Sequence, residues 1–199
     1  MKSFVVVIAL LLGMAVGLQA QTFTCPSGYT QVTRTFKVPN GAGGCCDVDV
    51  TFCYKIDAGT GKFLIAYGPV TFPDQACAAI FGPGLFNWVS KKIYFYYATA
   101  GSIPNCPSTA TLLLDETKSS CYAFPDPPAS IYDPVTYVPC GATVCRRVCA
   151  VCLSTTETDP CTATAEPMLV YAGCQNTTVT CEGAGTGAKC GANTCSSTN

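Results

Sequence analysis

Gln31-Val32-Thr33-Arg34-Thr35-Phe36-Lys37-Val38 and, shortly after it, Cys46-Asp47-Val48-Asp49-Val50-Thr51-Phe52-Cys53-Tyr54 decide the fold class. Each alternates strictly. Val32, Arg34, Phe36 and Val38 take one side, and Thr33, Thr35 and Lys37 the other. Val48, Val50, Phe52 and Tyr54 oppose Asp47, Asp49, Thr51 and Cys53. A period of two puts successive side chains on opposite faces of a strand. β-Branched and aromatic residues fill both segments, as suits a pleated, half-buried surface.

The pattern spreads outward from there. Lys62–Tyr67, Lys91–Tyr97, Thr111–Leu114, Val144–Leu153, Met168–Tyr171 and Thr177–Cys181 also read as strands between Gly, Pro, Asn and Asp clusters. Asp57-Ala58-Gly59-Thr60-Gly61 turns the second strand back as a hairpin. The exception lies near residues 74–90. Asp74 is a helix cap, Gly82-Pro83-Gly84 is a break, and Leu85–Ser90 suits another helical turn. The expected fold is therefore mainly β: disulfide-rich antiparallel sheets, sandwich-like, with one short helical segment.

Val38-Pro39-Asn40-Gly41-Ala42 resembles Val138-Pro139-Cys140-Gly141-Ala142, and Cys46 and Cys53 then fall on Cys145 and Cys152. A similarity at fixed spacing reads as duplication into two related β modules. Chance in a chain rich in Gly, Ala and Cys is the alternative. The expected organisation is a leader over 1–20, a first module with the helical excursion over 21–105, a second over 106–180, and a Cys/Gly/Ser/Thr-rich tail over 181–199. If the repeat is real, Asp47 and Asp49 match Arg146 and Arg147. These pairs would attract across strands, or else mark two solvated faces.

Lys2, the apolar run Phe4–Leu18 and the small residue Ala20 form a secretory signal. The run covers 15 residues, against about 20 for a spanning helix. Secretion is thus expected, with the cell surface or periplasm as variants and no membrane span after cleavage. Loss of 20 residues leaves 10 basic and 12 acidic side chains, a net of −2, which disfavours nucleic acid as a partner.

All sixteen cysteines lie beyond the leader: Cys25, Cys45, Cys46, Cys53, Cys77, Cys106, Cys121, Cys140, Cys145, Cys149, Cys152, Cys161, Cys174, Cys181, Cys190 and Cys195. In an oxidising compartment an even set of thiols reads as a disulfide framework. Cys140, Cys145, Cys149 and Cys152 are spaced closely enough to invite a metal reading, but no histidine exists to complete a mixed site, so neither metal nor cofactor is expected. Cys45 and Cys46 are neighbours, too close for an ordinary bridge to each other, and are expected to pair with distant partners.

The lack of histidine removes imidazole-based catalysis. Gly59-Thr60-Gly61-Lys62 imitates a phosphate loop but lacks the upstream glycine. Asp47 and Asp49 remain as a carboxylate pair on one strand face, whereas Asp115-Glu116 reads as loop or turn. Trp88, Tyr94 and Tyr96 mark the most aromatic stretch, with Tyr94 and Tyr96 on a strand face able to stack on a glycan or protein. Asn176-Thr177-Thr178 is a glycosylation acceptor in a eukaryotic source. Three functions follow. The first is a non-enzymatic structural or surface-layer component of an extracellular matrix that associates with itself. The second is a secreted binding or inhibitor module for a protein or glycan. The third is a hydrolase built on carboxylates.

Overall fold

The computed structural model describes residues 23–98, 103–106, 112–123, 130–162, 167–177 and 190–192. The leader and most of the tail lie outside them. The chain is mainly β, as the alternation predicts. Seven strands form one curled, mixed sheet: β1 (Thr30–Pro39), β2 (Cys45–Ile56), β3 (Phe63–Phe72), β4 (Leu112–Ala123), β5 (Val135–Thr158), β6 (Pro167–Thr177) and β7 (Cys190–Ala192). Their order is β1-β2-β3-β4-β5-β6, with β7 added on β4. All pairings are antiparallel except β3 with β4, where Phe63–Ala66 runs parallel to Leu114–Thr117. A parallel pair needs a long crossover, and this one carries a helix.

The β1–β2 hairpin turns where Asn40 Oδ1 accepts from Ala42 N and Gly44 N, both at 2.9 Å, and where Gly41 takes a φ of +77° that a side chain would resist. The Asp57–Lys62 turn closes on the Asp57 N to Lys62 O bond at 2.9 Å. By contrast Val138–Cys152, the matching half of the repeat, is continuous strand within β5. On β3, Gly68 is needed for close approach: a Cβ there would lie 2.5 Å from the Phe23 ring.

The crossover holds a 3-10 turn, η1 (Gln75–Ile80), and helix α1 (Pro83–Tyr97). Asp74 caps η1 by accepting from Ala76 N at 2.9 Å. Gly82 caps α1, and Pro83 starts it, where a missing N–H costs nothing. The strand reading of Lys91–Tyr97 is corrected here: the helix runs through it. Leu85, Phe86, Val89, Ser90, Ile93 and Tyr94 are buried, whereas Trp88, Lys91, Lys92, Phe95 and Tyr96 are not. That spacing of three and four is helical, and it overrides the strand propensity of the aromatic run.

The sheet wraps this helix. Helix α1 touches both edge strands, β1 and β6, so it fills the gap that the open sheet leaves. Phe36, Val48, Val50, Phe52, Ile65, Val70, Phe72 and Leu114 from the concave face pack on Leu85, Phe86, Val89 and Ile93. At the start of the helix, Phe81 stacks on Tyr137 with centroids 3.9 Å apart and meets Tyr122 edge-on. At its end Tyr97 meets Phe52 and Tyr54.

The disulfides include Cys25–Cys53, Cys45–Cys161, Cys46–Cys77, Cys106–Cys152 and Cys149–Cys174. Cys145 is also disulfide-bonded. The neighbours Cys45 and Cys46 take separate partners because the pleat sends one outward and the other into the core. The backbones of Cys121 and Cys140 face each other across β4 and β5, and Cys190 opens β7. Cys181 and Cys195 lie outside the described residues, as does Thr178 of the Asn176 sequon. Among the described residues no helix is long and apolar enough to cross a membrane.

Candidate functional site

Two polar arrangements flank α1, one inside the sheet and one outside. The inner one rests on β4. Leu114 and Glu116 face the concave side with Lys118, whose ammonium sits 4.7 Å from the Phe86 ring centre. Glu116 stands directly across from Arg147 on β5, and their side chains pair at 2.5 Å. Arg147 also donates to Asn87 Oδ1 at 2.5 Å and to the Tyr171 hydroxyl at 3.1 Å. Tyr171 in turn joins Ser90 Oγ at 2.5 Å and donates to the Asn87 carbonyl at 3.1 Å. The network locks the middle of the helix to β4, β5 and β6.

Burial governs its protonation. Glu116 is 2% exposed, and desolvation raises its pKa although Arg147 and Lys118 oppose the rise. Desolvation pushes Lys118 down to about 8. The Tyr171, Tyr122 and Tyr67 hydroxyls are all raised by the same cause. This cluster holds the helix in place. The loop or turn reading of Asp115-Glu116 is corrected here, and that reading is why the sequence alone does not reveal this cluster. Both residues are on β4 and both are buried. The alternation of Leu114, Glu116 and Lys118 against Asp115, Thr117 and Ser119 was the available signal.

Asp115 faces the other way, where Arg146 holds it with two bonds at 2.8 and 2.5 Å. Arg146 and Arg147 therefore pair with carboxylates of β4, not with Asp47 and Asp49. Asp47 sits 4.0 Å from Lys37, both more than half exposed, and Asp49 accepts from Thr35 at 2.6 Å. They form solvated partners on the convex face of the β1–β2 hairpin.

The outer arrangement is a groove on the opposite face of α1. Trp88, Lys91, Lys92, Phe95 and Tyr96 from the helix line it with Asp159, Met168 and Leu169. Its volume is about 30 Å³, far below the roughly 300–1,000 Å³ of small-molecule pockets. It has room for the end of one side chain. Lys92 pairs with Asp159, each 11% exposed, and Asp159 also accepts from Cys161 N at 2.9 Å. The Cys45–Cys161 bridge thus anchors the groove floor. Lys91 lies 5.5 Å from the Trp88 ring centre and 5.2 Å from that of Tyr171, and desolvation lowers its pKa. Arg34 of β1 stacks on Tyr96 at 3.9 Å.

Of the three aromatic residues singled out in the sequence, the groove brings together Trp88 and Tyr96. Tyr94 departs from them. On the helix it points inward, 2% exposed, edge-on to Phe63 at 5.2 Å, with burial pushing its hydroxyl up to about 12. A strand would place Tyr94 on the same face as Tyr96; helical geometry turns neighbours two apart to different faces.

A second exposed feature stands before β5. Ser130–Asp133 is a turn in which Asp133 N donates to Ser130 O at 3.1 Å and Ser130 N to Asp133 Oδ2 at 2.8 Å. It presents Ile131 and Tyr132 to solvent at 73% and 85% exposure, the highest of any large apolar side chain described.

Among the described residues no group of three or more acidic or cysteine side chains is placed to hold a metal ion. No protein-family model, curated protein or solved structure matches this chain.

Proposed function

We propose that this is a secreted, disulfide-braced, non-enzymatic component of an extracellular layer or matrix, working by association with copies of itself. The observation that carries the reading is the Ser130–Asp133 turn. A scaffold with bridges this dense spends none of its core on Ile131 and Tyr132, yet holds them out on a hydrogen-bonded turn. Two adjacent large apolar side chains held out together, one of them a tyrosine, offer an anchor to a partner. A net charge of −2 after leader removal gives weak mutual repulsion. The bridges and the lack of a spanning helix among the described residues are consistent with secretion. The test is light scattering on the oxidised protein across a wide concentration range. Growth of mass with concentration supports the reading, and a strict monomer at millimolar concentration overturns it.

A second reading, a recognition module for a foreign protein or glycan, is favoured by the Trp88–Tyr96 groove with its two cations, Lys91 and Arg34. Trp88→Ala and Tyr96→Ala should then abolish capture on a glycan or protein panel. Capture by both variants at the level of the parent protein rules that surface out.

A further inference from the structure

The exposed turn and the groove sit at opposite ends of the longest strand. Ser130–Asp133 leads into β5 at Val135, and Asp159, which floors the groove, follows its last residue, Thr158. The 24 residues of β5 separate them along the chain. The two features are complementary. The turn offers one flat, apolar side chain with a polar tip, Tyr132. The groove, about 30 Å³ between Trp88, Phe95, Met168 and Leu169, has room for the tip of that side chain, with the rest of the ring lying along its open side. Asp133 adjoins the turn's tip, and Lys91 at the groove forms no salt bridge among the described residues.

We propose that copies of this chain join head to tail, the Tyr132 turn of one seated in the Trp88–Met168 groove of the next. This rests on the self-association reading and names its joint. Two different patches meet in such a contact. It does not close a dimer, and its repetition yields rings or open filaments. The joint is small beside the roughly 1,200–2,000 Å² of stable interfaces, so each link is weak and assembly depends steeply on concentration.

Complementation tests it. Tyr132→Ala has only a groove and Trp88→Ala only a turn, so each alone should sediment as a monomer where the parent protein oligomerises. Mixed one to one, they should form a dimer and stop, because the free ends lack partners. Either substitution should weaken the link at least tenfold, as loss of a tyrosine or tryptophan anchor does. Trp88 is the one tryptophan in the chain, so the emission of Tyr132→Ala protein should shift when it receives the turn of Trp88→Ala protein, which has no tryptophan of its own. Met168→Ala serves as a second groove variant, and an unchanged melting curve shows that each variant is folded. Oligomers that persist in Tyr132→Ala and in both groove variants overturn the joint while leaving self-association standing. A parent protein that never oligomerises overturns both.

Discussion

Consider removal of the Cys45–Cys161 bridge by Cys45→Ser with Cys161→Ser. Cys45 is exposed and Cys161 only half-buried, so little packing goes with the sulfurs. What is lost is closure of the chain. The separation is 116 residues, which in the loop-entropy model corresponds to about 4.8 kcal/mol for an isolated bridge. Other bridges shorten that path. One step joins Cys45 to Cys46, whose partner is Cys77; 29 residues lead from there to Cys106, whose partner is Cys152; nine more reach Cys161. The effective loop is about 39 residues, and the expected loss falls to about 3.9 kcal/mol. For a domain of this size that lowers the melting temperature by roughly 8–16 °C. Urea titration followed by circular dichroism, with the remaining bridges intact, measures it. The groove offers a second readout: Asp159 loses its neighbouring anchor, so Trp88 emission should move to the red in the native state. A loss below about 1 kcal/mol with unchanged emission refutes the closure argument.

Three further outcomes follow from the packing. Arg147→Met leaves Glu116 buried without its counter-charge and should cost about 3–5 kcal/mol, whereas Glu116→Met with Arg147→Met should recover most of it; a double variant as unstable as the single one contradicts the pairing. Lys118 is pushed down to about 8 in the fold against 10.5 unfolded, so the unfolded chain holds more protons above about 8, and stability should rise with pH from there until the buried tyrosines, raised in the fold above 10.0, reverse the slope as they ionise in the unfolded chain. Lys118→Met should flatten that rise, and denaturation midpoints from about pH 7.5 to about 9.5, below the range in which unfolded tyrosines ionise, check it. Tyr94→Ala should cost about 3–5 kcal/mol through the cavity it leaves, while Tyr96→Ala should cost less than about 1 kcal/mol; equal losses would return Tyr94 to the surface.

The β hairpins were legible because one face of each is core. Phe36, Val38, Val48, Val50 and Phe52 are buried, and Thr33, Thr35 and Lys37 are not. The same logic failed wherever the buried face is polar. Glu116 and Arg147 look like surface residues until each is seen to be the other's partner, and that pairing joins residues 31 apart. The helix failed for another reason. Ile93-Tyr94-Phe95-Tyr96-Tyr97 is strand-like by composition, and only a window starting at Leu85 reveals its 3.6-residue period. The groove was half legible: Trp88 and Tyr96 stood out as aromatic residues, but Asp159, Met168 and Leu169 reach them through the curl of the sheet, which no local pattern encodes.

The neighbouring sulfurs at 45 and 46 set a problem for biosynthesis. As the chain emerges from its N-terminus, Cys77 arrives early and Cys161 late. Cys46 can be oxidised at once, but Cys45 must wait as a free thiol while Cys106, Cys121, Cys140, Cys145, Cys149 and Cys152 pass by. A slip of one residue in β2 would also hand Cys77 to the wrong neighbour and turn the whole strand inside out. Correct maturation therefore hinges on thiol–disulfide reshuffling, and a host cell lacking an isomerase should yield scrambled material in which Cys45 is the most frequent offender.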